Sequence, residues 1–492
     1  MANTTTSTVA FSILSPDASL SYDHIKLRLE EYRTLLASDS DTIELSTENG
    51  KTIICRKQAN EMEEYLDEAE ELLRDIVQSR DISMLVVLHN LCDLAWVLDD
   101  LKLYDECRLT GNCALDLAEA LGRRSLEFRH EQAETLARIA GLSVYQPRAR
   151  TLFIHAVSIC EEVVENNASH SNKHKLLIVL ERAGYWAQDH FSALSAQWLE
   201  RAIQLMTKEL PPTMVHPHFR SIIYSNYGYG LHELKQYPNA LEAYHEAVSI
   251  CRTLVANDPA NHTFHFAESV MNMGTALDGI GKYGDAIVAY KEALEICTTM
   301  STQDPLRYNE LRAKILLNYG ATLQNLNQVH EAAVMEKQAI SLLRNFAQAG
   351  NERTELLCDA LNNYGISCYC LGQHAEAVLA YQECIPLKRA LAATDSEAEK
   401  DLLSPLHDIA NSFHALGKYA EANTAATEFL ERNHGRVLED CEFAPVFSRC
   451  FVCQRGIIPD SPCNLSSPFP HSELALMLPL PQPRPQSPLE RL

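Results

Sequence analysis

Glycine and proline are scarce in these 492 residues, at 18 and 20, and they fall in clusters. That leaves long stretches free to be helical. Cations are also short: 42 Lys and Arg stand against 66 Asp and Glu, a formal net charge of -24. A surface of that sign repels phosphate backbones and anionic lipid, which argues against nucleic acid and membrane as partners. The plain reading of the charge is solubility for a long, surface-rich chain; the sharper one is selection of basic partners. No stretch is apolar for long enough to span a bilayer. The opening MANTTTSTVAFSILSPDASL has no Lys or Arg before its short apolar run, so no secretory leader is expected. The phosphate loop G-x-x-x-x-G-K-[ST], the zinc motif H-E-x-x-H and the nucleophile elbow G-x-S-x-G are all missing. His-Glu pairs such as His330-Glu331 lack a second His four residues on. No enzyme and no cofactor is expected. A hydrolase using Cys and His near the C-terminus would need far more chain than 441–492.

Apolar residues, 46% of the chain, are ample for a core. The 15 cysteines are odd in number and scattered along helical segments, where they read as small buried hydrophobes. Reduced thiols and a cytoplasmic location are therefore expected. As ordinary domains the length suggests about three, but a repeat array escapes that count because it grows in one dimension.

Such a repeat is present. NYGYGLHELKQYPNALEAYHEAV, NMGTALDGIGKYGDAIVAYKEAL, NYGATLQNLNQVHEAAVMEKQAI and NYGISCYCLGQHAEAVLAYQECI begin at Asn226, Asn272, Asn318 and Asn363. Two places on stand Gly228, Gly274, Gly320 and Gly365, and the same slot extends to Ala95, Ala137, Ala183 and Ala410. The steps from Ala95 to Ala410 are 42, 46, 45, 46, 46, 45 and 45. Twelve residues past each anchor lie Cys107, Ala149, Ser195, Ala240, Ala286, Ala332, Ala377 and Ala422. Nineteen past lie Ala114, Ala156, Ala202, Ala247, Ala293, Ala339, Cys384 and Phe429, so Phe429 alone is large. Two antiparallel helices approach closely only where a side chain is nearly absent. The first two slots predict contact of helix A with helix B, and the third predicts contact of B with the next A. Glycines at Gly281, Gly372 and Gly417 predict left-handed caps at the A–B turn. Asp258-Pro259 and Asp304-Pro305 predict an N-cap followed by proline in the first turn.

This pattern resembles the tetratricopeptide repeat. The resemblance covers about 81–440 and is strongest in the five later repeats. At 45–46 residues the period exceeds the usual 34 and is similar to the long kinesin-light-chain type, whose N-x-[LG]-[AG] signature sits on helix A. Similar arrays follow the nucleotide-binding domain of NB-ARC signalling proteins, a domain this sequence lacks. The implied fold is all-α: a tetratricopeptide-type α-solenoid of about eight antiparallel helix pairs with flanking disordered tails. The implied function is a scaffold or adaptor that binds a peptide or partner segment in the concave groove. The alternative is a regulatory array that self-associates or binds its own tail. The resemblance puts helix A in the groove, and with it Asn226, Asn272, Asn318 and Asn363. Asn is a poor helix-interior residue, so four in one column need a reason: recognition of a peptide backbone, or hydrogen bonds between neighbouring helices. The chaperone-type carboxylate grip finds no cations at Ser225, Tyr229, Met271, Thr275, Leu317, Ala321, Asn362 or Ile366; Lys314 is the one cation placed nearby.

The flanks read differently. Residues 1–22 are expected to be a disordered tail and 23–80 a helical cap, with helices near Asp23–Ala37 and Lys57–Ser79. Between them TIELSTENGKTIIC carries an Asn49-Gly50 hairpin signal. Residues 441–492, with nine Pro from Pro459 on, are expected to be a largely disordered tail with polyproline character. There Cys450 and Cys453, with Cys441 and Cys463, are the only metal-like group. A second C-x-x-C is missing, so no metal is expected.

Overall fold

The computed structural model describes residues 22–36, 42–47, 50–55, 65–72, 84–125, 128–188, 191–300, 304–344, 351–392 and 400–432. Of the expected tails at 1–22 and 441–492, all but Tyr22 lie outside these, Cys450 and Cys453 among them.

Helix α1 (Tyr22–Leu36) precedes an antiparallel pair, β1 (Thr42–Thr47) and β2 (Gly50–Cys55), and α2 covers 65–72. The hairpin expected from TIELSTENGKTIIC is there, with Ile43 opposite Ile54 and Thr47 opposite Gly50. It is the one β element among the described residues. Eight helix pairs follow. The A helices are α3 (Met84–Asp100), α5 (Arg129–Ala140), α7 (His170–Trp186), α9 (Pro217–Glu233), α11 (Pro259–Gly279), α13 (Pro305–Asn325), α15 (Asn351–Cys370) and α17 (Leu403–Ala415). The B helices are α4 (Tyr104–Gly122), α6 (Gln146–Asn166), α8 (Ser192–Gln204), α10 (Tyr237–Asn257), α12 (Tyr283–Met300), α14 (Val329–Arg344), α16 (His374–Ala392) and α18 (Tyr419–Arg432).

The chain divides into two compact units, Met1–Leu234 and Lys235–Leu492. The first holds one apolar cluster running from Ile25 to Ile223. Ile25 and Leu29 of α1 and Leu66 and Ala69 of α2 belong to it, and Arg28 of α1 reaches Glu106 of α4 at 3.1 Å. The second unit carries its core in three linked layers, one per stretch of neighbouring pairs.

The small residues stand where steric reasoning demands them. All eight members of the second slot, from Cys107 to Ala422, are fully buried, and so are the first seven of the third. A Cβ built on Gly274 would lie 2.7 Å from the Tyr290 ring, and one on Gly365 2.5 Å from Tyr381. Glycine therefore makes the hole that the tyrosine of helix B fills. The A–B turn is left-handed at one place in six repeats, seven residues after the anchor. Gly281, Gly372 and Gly417 take it with φ of 84, 74 and 73°, and Lys102, Lys235 and Asn327 with 62, 58 and 60°. Lys282 N–H then donates to Leu277 O at 2.9 Å, the closing bond of a Schellman cap. Asp258 and Asp304 cap α11 and α13 by accepting from Asn261 and Arg307 N–H, with proline in the first turn of each.

Candidate functional site

Within the first unit α3, α5 and α7 pack on α4, α6 and α8, and within the second α11, α13, α15 and α17 pack on α12, α14, α16 and α18; successive A helices also touch, α3–α5–α7–α9 in the first unit and α11–α13–α15–α17 in the second. Neighbouring B helices are instead bridged by long side chains. Arg252 reaches Glu292 at 2.9 Å, Arg344 reaches Glu383 at 2.6 Å, and Arg389 reaches Glu428 at 2.6 Å. In the first unit the polarity is reversed, with Glu161 accepting from Arg201 at 3.2 Å. Within each unit successive A helices lie closer together than successive B helices do.

The asparagine column lies on the A helices, and all four residues are half-buried. Counting by the same step continues it to Asp408 in the second unit and back to Glu181, Thr135 and Asp93 in the first. The sequence reading missed these members because the residue type changes while the position does not.

In the first unit Asn226 Nδ2 donates to Glu181 Oε1 at 3.3 Å, and Asn226 O accepts from Gln188 Nε2 at 3.2 Å. Burial raises the Glu181 carboxyl above its ordinary range, against the pull of Arg182 and Asn226. Further along, Arg138 pairs with Asp93.

In the second unit Asn318 Nδ2 donates to Thr275 Oγ1 at 3.3 Å, and Tyr290 Oη donates to the same oxygen at 3.4 Å. Thr322 Oγ1 donates to Asp278 Oδ1 at 2.6 Å. One repeat on, Gln324 Nε2 donates to Glu336 Oε1 at 2.7 Å and Ser367 Oγ at 2.8 Å, and approaches Asn363 O at 3.5 Å. Two of the four amides, Asn226 and Asn318, are thus tied to a neighbouring repeat. For Asn272 and Asn363 no side-chain partner is seen among the described residues.

Lys314 is held by Glu310 at 3.2 Å, and Arg353 shares that carboxylate at 2.9 Å. At the places where a carboxylate grip would need cations, Ser225, Met271 and Leu317 are buried. Of the repeat slots, Gly228, Gly320, Ala240, Ala286, Ala332 and Ala377 are all buried in helix contacts, as are Gly274 and Gly365. Among the described residues no group of three or more His, Cys, Asp or Glu could hold a metal ion, and no helix is long and apolar enough to cross a membrane. Among the described residues ten cysteines are free thiols, and nine of these are buried.

The fold is that of a tetratricopeptide-type helical repeat protein. No protein-family model matches the sequence, and no curated protein matches it. Solved structures of similar fold include a signal-transduction ATPase with a tetratricopeptide repeat sensor from Pyrococcus horikoshii. It is 12% identical, covering 88% of this chain and 68% of that one, with a TM-score of 0.45. Aspartyl phosphate phosphatase F from Bacillus subtilis is 14% identical over 86% and 98%, with a TM-score of 0.43. The apo quorum sensor NprR from B. thuringiensis is 12% identical over 83% and 99%, also with 0.43. Likeness at this level is one of fold class and says nothing about ligands.

Proposed function

We propose that this chain is a cytoplasmic, non-enzymatic adaptor that binds an extended segment of another protein along the inner face of its A helices. One observation carries the reading. Asn272, Asn318 and Asn363 form a row of half-buried amides, one per repeat, on touching helices. Two of them have no side-chain partner among the described residues. An amide offers both donor and acceptor and can pair with a peptide backbone whatever its side chains. The net charge of -24 supports a basic segment. Residues 23–80 serve in this account as a cap for the first repeat, which a terminal repeat needs. An affinity capture from reduced lysate, followed by mass spectrometry and run beside Asn272→Ala/Asn363→Ala, tests it. A partner lost in the variant supports the groove; an identical partner list contradicts it.

A second reading, self-association, rests on Val288, Val334 and Leu379. They occupy matching places on successive B helices and are 65, 43 and 61% exposed. Light scattering distinguishes it: a dimer that Leu379→Glu dissociates supports it.

A further inference from the structure

Two places that hold alanine in the fifth and sixth repeats hold cysteine in the seventh. Seven residues before the anchor glycine and nineteen after it stand Ala267 and Ala293, then Ala313 and Ala339, then Cys358 and Cys384. All six are fully buried. One cysteine here would be no more than a small hydrophobe. In the seventh repeat both places change together, and the two side chains cross between α15 and α16. Cys384 Sγ donates to Cys358 O at 3.4 Å, and Cys358 Sγ donates to Cys384 O at 4.0 Å. Each sulfur thus lies against the other residue's backbone. A rotation about each Cα–Cβ bond turns the sulfurs from those carbonyls toward each other, which is the approach a disulfide needs.

Buried thiols meet no reagent while the repeat is closed. The neighbouring Cys358 thiol, and after it burial, holds Cys384 well above the ordinary thiol range, so it is no nucleophile in that state. Helix α16 carries its own point of weakness. Pro386 lies inside it, exposed, two residues past Cys384. Proline has no N–H to give the Gln382 carbonyl, and its ring crowds that oxygen. The turn that covers Cys384 is therefore short of one helical bond. Beyond it the end of α16 is held to α15 by Lys388, which reaches Asp359 at 3.1 Å.

We propose that Cys358 and Cys384 are a reversible disulfide site, closed by exchange with a low-molecular-weight disulfide when α16 opens at Pro386, and that the bond ties the two helices of the seventh repeat together. In the open state the Cys384 thiol gives up its proton and its thiolate attacks the small disulfide, forming a mixed disulfide and releasing one thiolate. The Cys358 thiolate then displaces the second as the repeat closes. Two protein thiols are oxidised by two electrons, one small disulfide is reduced to two thiols, and the two protons end on those thiols. The site is independent of the groove reading.

The test incubates the full chain with glutathione disulfide, then digests it after acidic residues under non-reducing conditions. That digestion puts Cys358, Cys384 and the Cys368–Cys370 stretch on separate peptides for mass spectrometry. The expected product links Cys358 to Cys384 and is reversed by reduced glutathione, while the exposed Cys370 carries glutathione alone. Pro386→Ala restores the missing helical bond and should slow the linkage about ten-fold with the same product. Cys358→Ala/Cys384→Ala recreates the alanine pair of the fifth and sixth repeats and should fold normally. Oxidation should slow amide hydrogen exchange in α16 of the parent and leave that variant unchanged. Modification of Cys370 with no Cys358–Cys384 linkage would overturn the proposal, as would glutathione retained on Cys384. Linkage that makes the parent melt earlier would show that the closed repeat does not accommodate the bond, and would also overturn it. Linkage at an unchanged rate in Pro386→Ala would overturn the opening at Pro386.

Discussion

Glu336 faces Gly320 in the second unit as Tyr290 faces Gly274 and Tyr381 faces Gly365. Its Cγ stands 3.1 Å from where a Gly320 Cβ would be. The carboxyl is fully buried, receives Gln324 at 2.7 Å, and leaves Oε2 without a partner among the described residues. Burial pushes it from 4.5 up to about 7, against the hydrogen bonds from Ser367 and Gln324.

That placement predicts a pH dependence. Below about pH 4.5 the acid is neutral in both folded and unfolded chains and costs nothing. As pH rises from there to about 7 the unfolded chain ionises while the folded one holds its proton, so stability falls. A shift of that size corresponds to about 3 kcal/mol, complete above about pH 7. Glu336→Gln should therefore be more stable than the parent at pH 8, by up to about 3 kcal/mol, and equal to it near pH 4.5. Urea unfolding of both proteins at the two pH values checks this; an equal difference at both would contradict it.

Ala286 is fully buried where α12 meets α11. Ala286→Leu should overpack that contact and cost about 1–3 kcal/mol. The exposed Val288→Leu, two residues on, should cost almost nothing. Melting curves of the two variants check the register, which fails if their order is reversed.

The arginine bridges between B helices are exposed, so each should contribute about 0.2–1 kcal/mol. Arg344 presents both Nε and Nη2 to Glu383, at 3.0 and 2.6 Å. Arg344→Gln should lose that contribution at low salt and little at 1 M. The charge swap Arg344→Glu/Glu383→Arg should recover most of it, as the reversed Glu161–Arg201 pair indicates. A double-mutant cycle by denaturant titration measures the coupling; a coupling of zero at low salt would show the bridge to be idle.

Much of this fold was legible in the sequence because its cause is steric. Ala286, Ala332 and Ala377 recur since two helices cannot meet there otherwise, and Gly281, Gly372 and Gly417 since the turn needs positive φ. Where a lysine or asparagine takes that φ, as Lys102, Lys235 and Asn327 do, composition gives no sign. Glu336 reads in sequence as one more surface glutamate; only the glycine opposite reveals its burial. Asp408 escaped because the column was followed by residue type rather than by step. The bridges join residues 39 or 40 apart, a separation without meaning until the B helices are placed side by side. The division after Leu234 leaves no mark at all, since the repeat spacing runs through it unchanged.

The central claim is that the inner amides bind a partner rather than hold the fold. Asn318 and Asn226 already serve neighbouring repeats, so Asn272 and Asn363 carry the test. Asn272→Ala/Asn363→Ala removes two amides whose loss breaks no side-chain bond within the described structure, and Ala is the better helix former. Each net hydrogen bond to a ligand contributes about 0.5–1.5 kcal/mol. Titration calorimetry with a library-selected peptide, beside a melting curve, should show affinity falling roughly 5- to 100-fold with no loss of stability. Unchanged affinity in a variant that melts earlier would contradict the account.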